Sequence, residues 1–245
     1  MKQTIIFVII FIINLHSHLL SNNKDNKIVF DPKASNNLSI ISDISDIKIH
    51  STNDKLISIS IRYTGNKDVL DNNEITGIIK ENSTFEIIST QKKTKPFYNG
   101  SIKLDIYLPK IFENLFINTN VGNININDYN TKKLEVRSNT GNILINNYFN
   151  SLIAISDVGN IDIEPLNMNS TISATSNVGN INLIADPKGS YIFNLVTNVG
   201  NISAEDFGIT NISSIPQKNI TKKVNDGKYT INLKTNVGNI VVESK

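Results

Sequence analysis

Asp162, Glu164 and Glu205 are the residues whose type and spacing could do chemistry. Asp162 and Glu164 stand at i and i+2, so a strand would carry both carboxylates on one face. Glu205 falls about two repeats along the Glu164 column of the repeat described below. Clustered acids of this kind can cleave a glycosidic bond or hold a calcium ion. Their setting argues against both. The same column offers Asn127, Asn146 and Ile184, and no basic or aromatic residues converge on it. Tryptophan is absent, and Tyr129, Tyr148 and Phe149 fall in turns. The acids therefore read as a solvated face, with no catalytic residue and no metal ligand assigned. Other chemistries lack their parts. Without cysteine there is no disulfide, thiolate metal site or thiol nucleophile. Of the three histidines, His16 and His18 lie in an N-terminal leader, and His50 beside Ser51 reads as a surface strand residue. No cofactor is implied.

The elements that would position such residues are set by a repeat. T-N-V-G-N-I or a close variant occurs at 119–124, 138–143, 156–161, 176–181, 197–202 and 235–240. Its glycines are Gly122, Gly141, Gly159, Gly179, Gly200 and Gly238, at spacings of 19, 18, 20, 21 and 38. A unit near twenty residues cannot bury a core alone and must stack on its neighbours. Four residues before each Ser/Thr stand Leu115, Leu134, Leu152, Ile172, Phe193 and Ile231; two before stand Ile117, Val136, Ala154, Ala174, Leu195 and Leu233. The residues between are mostly polar, which marks a strand with one buried face. Ile153 and Ile155 break the alternation and predict a covered outer face there. The same parity points the Ser/Thr column inward or into the turn, its hydroxyls capping backbone groups.

After the glycine the alternation resumes with Ile124 and Ile126, Ile143 and Ile145, Ile161 and Ile163, Ile181 and Leu183, and Ile240 and Val242. Glycine as the second central residue of N-V-G-N suits a type II turn. A β-branched valine does not suit the primed turns of tight hairpins. The bend therefore joins strands in two stacked sheets, and the chain reads as an all-β solenoid of about 19-residue coils. In that stack the turn valine and the following isoleucine feed the core. The asparagines on either side of the turn form two columns spaced about 4.8 Å, close enough for amide ladders. Asp157 interrupts the first column, which requires water to reach it.

Residues 28–110 carry similar alternating strands (47–49, 56–61, 85–88 and 102–108) without the phrase, and read as divergent first coils or a cap of the same body. Residues 111–245 form the repeat solenoid. Within it, 204–228 reads as a protruding inserted loop, because Pro216 and Asn225-Asp226-Gly227 are loop signals.

The N-terminus has the pattern of a secretory signal over residues 1–20. Lys2 precedes nine apolar residues at 5–13, too few for a bilayer span of about 20. Extension to Leu20 would bury Asn14, His16 and His18, and cleavage is expected between Ser17 and Ser21. No second long apolar stretch follows, so no span remains after signal removal. With 24 basic and 22 acidic residues, the chain offers no electrostatic footprint for nucleic acid. N-x-S/T sequons occur at Asn37, Asn82, Asn99, Asn169, Asn201, Asn211 and Asn219. The 39 asparagines produce about that number by chance, so the sequons mark possible glycosylation sites only.

From Ile102 to Lys245 the chain resembles an adhesin-like domain family of unknown function whose members repeat a G-N-I or G-D-I phrase. The lead-in I-K-L-D-I-Y-L-P-K at 102–110 and the six G-N-I copies carry the resemblance. It implies a β-solenoid in a secreted or cell-surface setting and no catalytic residues. The expectation is a non-enzymatic binding or scaffolding protein for a surface, glycan or protein ligand. The alternatives are a carbohydrate-active enzyme using the three acids, and a structural protein that self-associates through a coil edge left open after Val242.

Overall fold

The computed structural model describes residues 26–65, 73–80, 82–91, 100–167, 169–214 and 218–245; the expected signal segment and Asn99 lie outside them. Period-two alternation becomes strands throughout. The opening third forms β1 (Asn26–Phe30), β2 (Asn37–Ile44), β3 (Asp46–Thr52), β4 (Ile57–Gly65), β5 (Asn73–Lys80), β6 (Thr84–Gln91) and β7 (Gly100–Pro109). The repeats form β8 (Asn114–Val121), β9 (Ile124–Asn130), β10 (Lys133–Thr140), β11 (Ile143–Tyr148), β12 (Ser151–Val158), β13 (Ile161–Pro165), β14 (Thr171–Val178) and β15 (Ile181–Ala185). Then come β16 (Tyr191–Ala204), a 3-10 turn at Glu205–Phe207, β17 (Ile209–Ser214), β18 (Lys218–Val224), β19 (Tyr229–Val237) and β20 (Ile240–Ser244).

The strand before each repeat glycine joins one sheet, here sheet A, and the strand after it joins the opposed sheet B. Successive coils pair in parallel and in register, so Leu115, Leu134, Leu152 and Ile172 form one buried row. Ile124, Ile143, Ile161 and Ile181 form the facing row. The protein is a β-solenoid. Each fully buried aliphatic side chain contributes roughly 1.5–3 kcal/mol, realised only when the next coil covers it.

The coils do not stack in sequence order. In sheet A, β19 lies between β14 and β16; in sheet B, β20 lies between β15 and β16. The last coil of the sequence is thus inside the stack, and β16 lies beyond it. The residues expected to protrude instead form β17 and β18, which pair antiparallel along the outer edge of β16. The other end mirrors this. The β2–β3 coil sits between the repeats and the later β6–β7 coil, with β4 and β5 antiparallel outside. The coil that holds Val242 therefore does not end the stack. It is paired on both sides, which removes the reason given for association there.

This order has a direct test in a chain without cysteine. Ser173 and Asn232 are register partners, and adjacent strands sit about 4.8 Å apart, within disulfide reach. Asn194 is one strand further, about 10 Å from Ser173. Ser173→Cys with Asn232→Cys should form an intrachain disulfide on mild oxidation. Ser173→Cys with Asn194→Cys should not. Stacking in sequence order would reverse the two results on a non-reducing gel.

The corners depart from the type II expectation. The repeat glycines have φ between 143° and 154°, far above the roughly 80° of that turn. Glycine is required for a steric reason as well. A Cβ on Gly141, Gly159, Gly179 or Gly238 would stand 2.0–2.1 Å from the carbonyl oxygen of the glycine stacked beneath it. The Ser/Thr column is buried, and its hydroxyls donate to those same carbonyls: Ser156 to Gly141 at 3.1 Å, Ser176 to Gly159 at 3.0 Å and Thr235 to Gly179 at 2.9 Å.

Two expectations about the corner need correction. The turn valines do not feed the core: Val121, Val158, Val178, Val199 and Val237 are each about half exposed and line one edge of the body. Only one asparagine column is an amide-to-amide ladder, with Asn139 donating to Asn120, Asn236 to Asn177 and Asn198 to Asn236. Asp157 is exposed and accepts from Asn177 at 2.9 Å. In the other column each side-chain oxygen accepts the backbone N–H of the next asparagine. Examples are Asn142 N–H to Asn123 at 2.9 Å and Asn160 N–H to Asn142 at 2.8 Å. Ile153 and Ile155 are half-buried on the outer face of sheet A, where no described strand pairs over them.

Candidate binding surface

Parity along the sheet B strands sends alternate residues outward, and the register collects them into rows. One row runs Tyr107, His50, Asn127, Asn146, Glu164. The pairings His50 with Tyr107, Asn127 with Asn146 and Asn146 with Glu164 fix it, and the pairing of Ile49 with Ile126 places His50 beside Asn127. The row continues past Ile184 to Glu243. The row beside it carries Leu144, Asp162, Asn182 and Val241.

These rows enclose a depression of about 440 Å3 whose polar lining is Asn127, Asn146, Asp162, Glu164, Asn182 and Glu243. Leu144, Ile184 and Val241 supply apolar surface within it. Most of the polar groups are already oriented. Asn146 Nδ2 donates to Glu164 Oε2 at 3.1 Å, and Asn182 Nδ2 donates to Asp162 Oδ1 at 2.6 Å. Lys245 Nζ lies 3.2 Å from Glu164 Oε1. Asn146 Oδ1 is buried without a hydrogen-bond partner.

At the N-terminal side of the depression the face changes character. The His50 and Tyr107 rings stack at 4.8 Å with 16° between their planes, and Tyr107 is 38% exposed. Asp105, nearly buried, accepts from Arg62 Nε at 2.9 Å and from the Arg62 terminal nitrogen, and stands 3.5 Å from His50 Nε2. The imidazole is thereby held beside a carboxylate and against a ring.

The three acids singled out in the sequence are not brought together. Asp162 and Glu164 share the depression, but Glu205 begins the 3-10 turn. Because the last coil is interposed, Glu205 lies three coils from Glu164, about 14 Å along the column. Glu243 takes the nearer place. No group of three or more His, Cys, Asp or Glu residues among the described residues could hold a metal ion. The aromatics also move. Tyr129 is fully buried and donates to the Pro109 carbonyl at 2.9 Å, its hydroxyl pKa raised by burial. Phe149 is buried, whereas Tyr148 ends β11 and is 44% exposed. Since β11 alternates without a break, Tyr148 faces outward with Leu144 and Asn146. Sequence reasoning missed Tyr107 and His50, because their coils lack the repeat phrase and so carry no signal of their register with Asn127.

A family model described as Toastrack DUF4097 matches residues 111–243. Among solved structures, the chain is similar to a candidate cell adhesion protein from Clostridium sporogenes. The identity is 16% and the TM-score 0.54, over 91% of this chain and all of that one. It is also similar to a candidate adhesin from Bacteroides fragilis, at 17% identity and a TM-score of 0.50, over 90% of this chain and 98% of that one. At such identities the likeness shows the fold alone. No curated protein matches the chain.

Proposed function

The chain belongs to the Toastrack DUF4097 family, and on that premise we propose that it is a non-enzymatic binding scaffold, secreted or displayed at the cell surface. The observation that carries this reading is the outward face of sheet B. It is a rigid, continuous array of amides, carboxylates and tyrosines fixed by strand register, with its hydrogen-bonding groups already oriented. A preorganised surface of this kind suits recognition, because little side-chain freedom remains to be lost on binding. The adhesion-related descriptions of the two structural neighbours and the signal-like N-terminus agree with a surface setting. The separation of Glu205 from Asp162 and Glu164 supports the non-enzymatic reading.

The test is fractionation of cells expressing the tagged full chain, with mapping of its mature N-terminus, followed by pull-downs on whole cells and wall material. The chain should appear in the surface or secreted fraction, begin between residues 17 and 21, and be retained by cells. Cytoplasmic retention of the uncleaved chain, or failure to bind any surface, overturns the proposal. Turnover on a glycan panel that Glu164→Ala abolishes would replace it with an enzyme.

A further inference from the structure

We propose that the sheet B face binds a polysaccharide carrying free amino groups, laid along the row from Tyr107 to Glu243. This rests on the reading of the protein as a surface binder and names the ligand class for that face. A glycan presents three chemistries at once: vicinal hydroxyls that need paired donors and acceptors, an apolar C–H face, and here an ammonium. The face supplies a partner for each, in adjacent strands.

Two carboxamides, Asn127 and Asn146, are followed along the row by the carboxylates Glu164 and, past Ile184, Glu243, so amide donors and carboxylate acceptors stand on one face. Asn146 Nδ2 donates to Glu164, which fixes the amide in the depression's wall with its Oδ1 buried. Exposed aromatic surface stands on both flanks. Tyr107 is backed by the stacked His50 ring, and its register partner on the other side is Ser58, too small to cover it. Tyr148 stands two residues along β11 from Asn146. Leu144 adds an exposed aliphatic contact on the other side of Asn146 from Tyr148. Rings and aliphatic groups of this kind are what a sugar's C–H face packs against.

Charge selects the subclass. Asp162, Glu164 and Glu243 line the depression, and Lys245 is the cation that meets them, its ammonium on Glu164. A primary ammonium is therefore accommodated at Glu164, and Asp162 and Glu243 are placed for others. A metal ion does not fit, because the acids are too dispersed. A lysine-rich peptide would use the acids alone and leave the tyrosines and amides without a role.

The experiment is calorimetric titration of the full chain at mildly acidic pH, where amino groups are protonated. The probes are a β-linked glucosamine oligomer, its N-acetylated counterpart, a neutral gluco-oligomer and tetralysine. The glucosamine oligomer should bind. Its N-acetylated counterpart should bind about tenfold or more weaker, as expected for losing a charge-assisted hydrogen bond. Glu164→Gln and Tyr107→Ala, both surface changes, should each weaken binding about tenfold without shifting the melting temperature. No binding of the glucosamine oligomer overturns the inference. So does tetralysine binding equally well with Tyr107→Ala silent, which would mark simple charge attraction. If cells still retain the chain while the glucosamine oligomer does not bind, the ligand class falls and the surface-binding reading stands.

Discussion

Gly159→Ala should abolish the folded solenoid, or destabilise it by more than about 4 kcal/mol, which is exceptional for one methyl group. Two costs combine. A non-glycine residue held at φ +154° costs on the order of 1–3 kcal/mol. The new Cβ would also stand 2.1 Å from the Gly141 carbonyl oxygen, which is backbone and cannot rotate away. That carbonyl is held by the Ser156 hydroxyl, while Gly159 N–H donates to Val178 of the next coil. Relief therefore requires separating coils that pair along two sheets. Gly208→Ala is the control. It sits at φ 72° in the outer cap with its nearest atom, Lys222 Nζ, at 3.5 Å, so only the conformational cost of about 1–2 kcal/mol applies. Denaturant melts followed by circular dichroism measure both. A Gly159→Ala protein within about 1 kcal/mol of the parent would refute the close-approach account of the repeat.

The same corner shows how far local sequence rules reach. Parity identified the buried rows from Leu115 to Ile231 and turned the Ser/Thr column inward, because a strand has one alternation and no other choice. It failed at the valines. Each valine is the last residue of its sheet A strand or of the sheet A part of β16, where the chain bends toward sheet B, and there the inward parity of the strand no longer leads into the core. The second asparagine column failed for a related reason. Its oxygens find a backbone N–H left unpaired by the corner before they find another amide.

Stacking order was illegible for a deeper reason. Every coil of the repeat region carries the same phrase, so any of them chemically fits any slot there, and sequence order is the only guide the chain offers. The fold overrides it at both ends. The missing phrase in the first coils also hid the candidate surface. His50 and Tyr107 belong to coils without the phrase, and only the pairings of β3 with β9 and β7 with β3 bring them to the row of Asn127, Asn146 and Glu164. Within the depression, Asp162 and Glu164 were visible as an i, i+2 pair, while Glu243 reached them only through the interposed coil.

What chooses between two equivalent coils can be tested at Phe193. Residues 191–202 and 229–240 begin with tyrosine, share an Asn-Leu pair at 194–195 and 232–233 and end in the identical T-N-V-G-N-I. Their chief core difference is Phe193 against Ile231, and both are buried. Phe193 packs edge-on against Phe207 of the cap at 5.2 Å and lies 5.4 Å from Tyr191. Phe207 exists only beside the antiparallel strands, so this cluster ties the 191–204 coil to the outer position and leaves the inner slot for β19 and β20. Phe193→Ala should cost about 3–5 kcal/mol, against about 0.5–1.5 kcal/mol for Ile231→Val. Because coils contact only their neighbours, the loss should be local at first. Hydrogen exchange should rise in β16, β17 and β18 while β10 to β13 stay protected. A uniform rise along the whole stack, or equal costs for the two substitutions, would show that the aromatic cluster does not set the order. Loss of the Ser173→Cys/Asn232→Cys disulfide when Phe193→Ala is added would show the opposite, that the outer coil has moved inward once its anchor is gone.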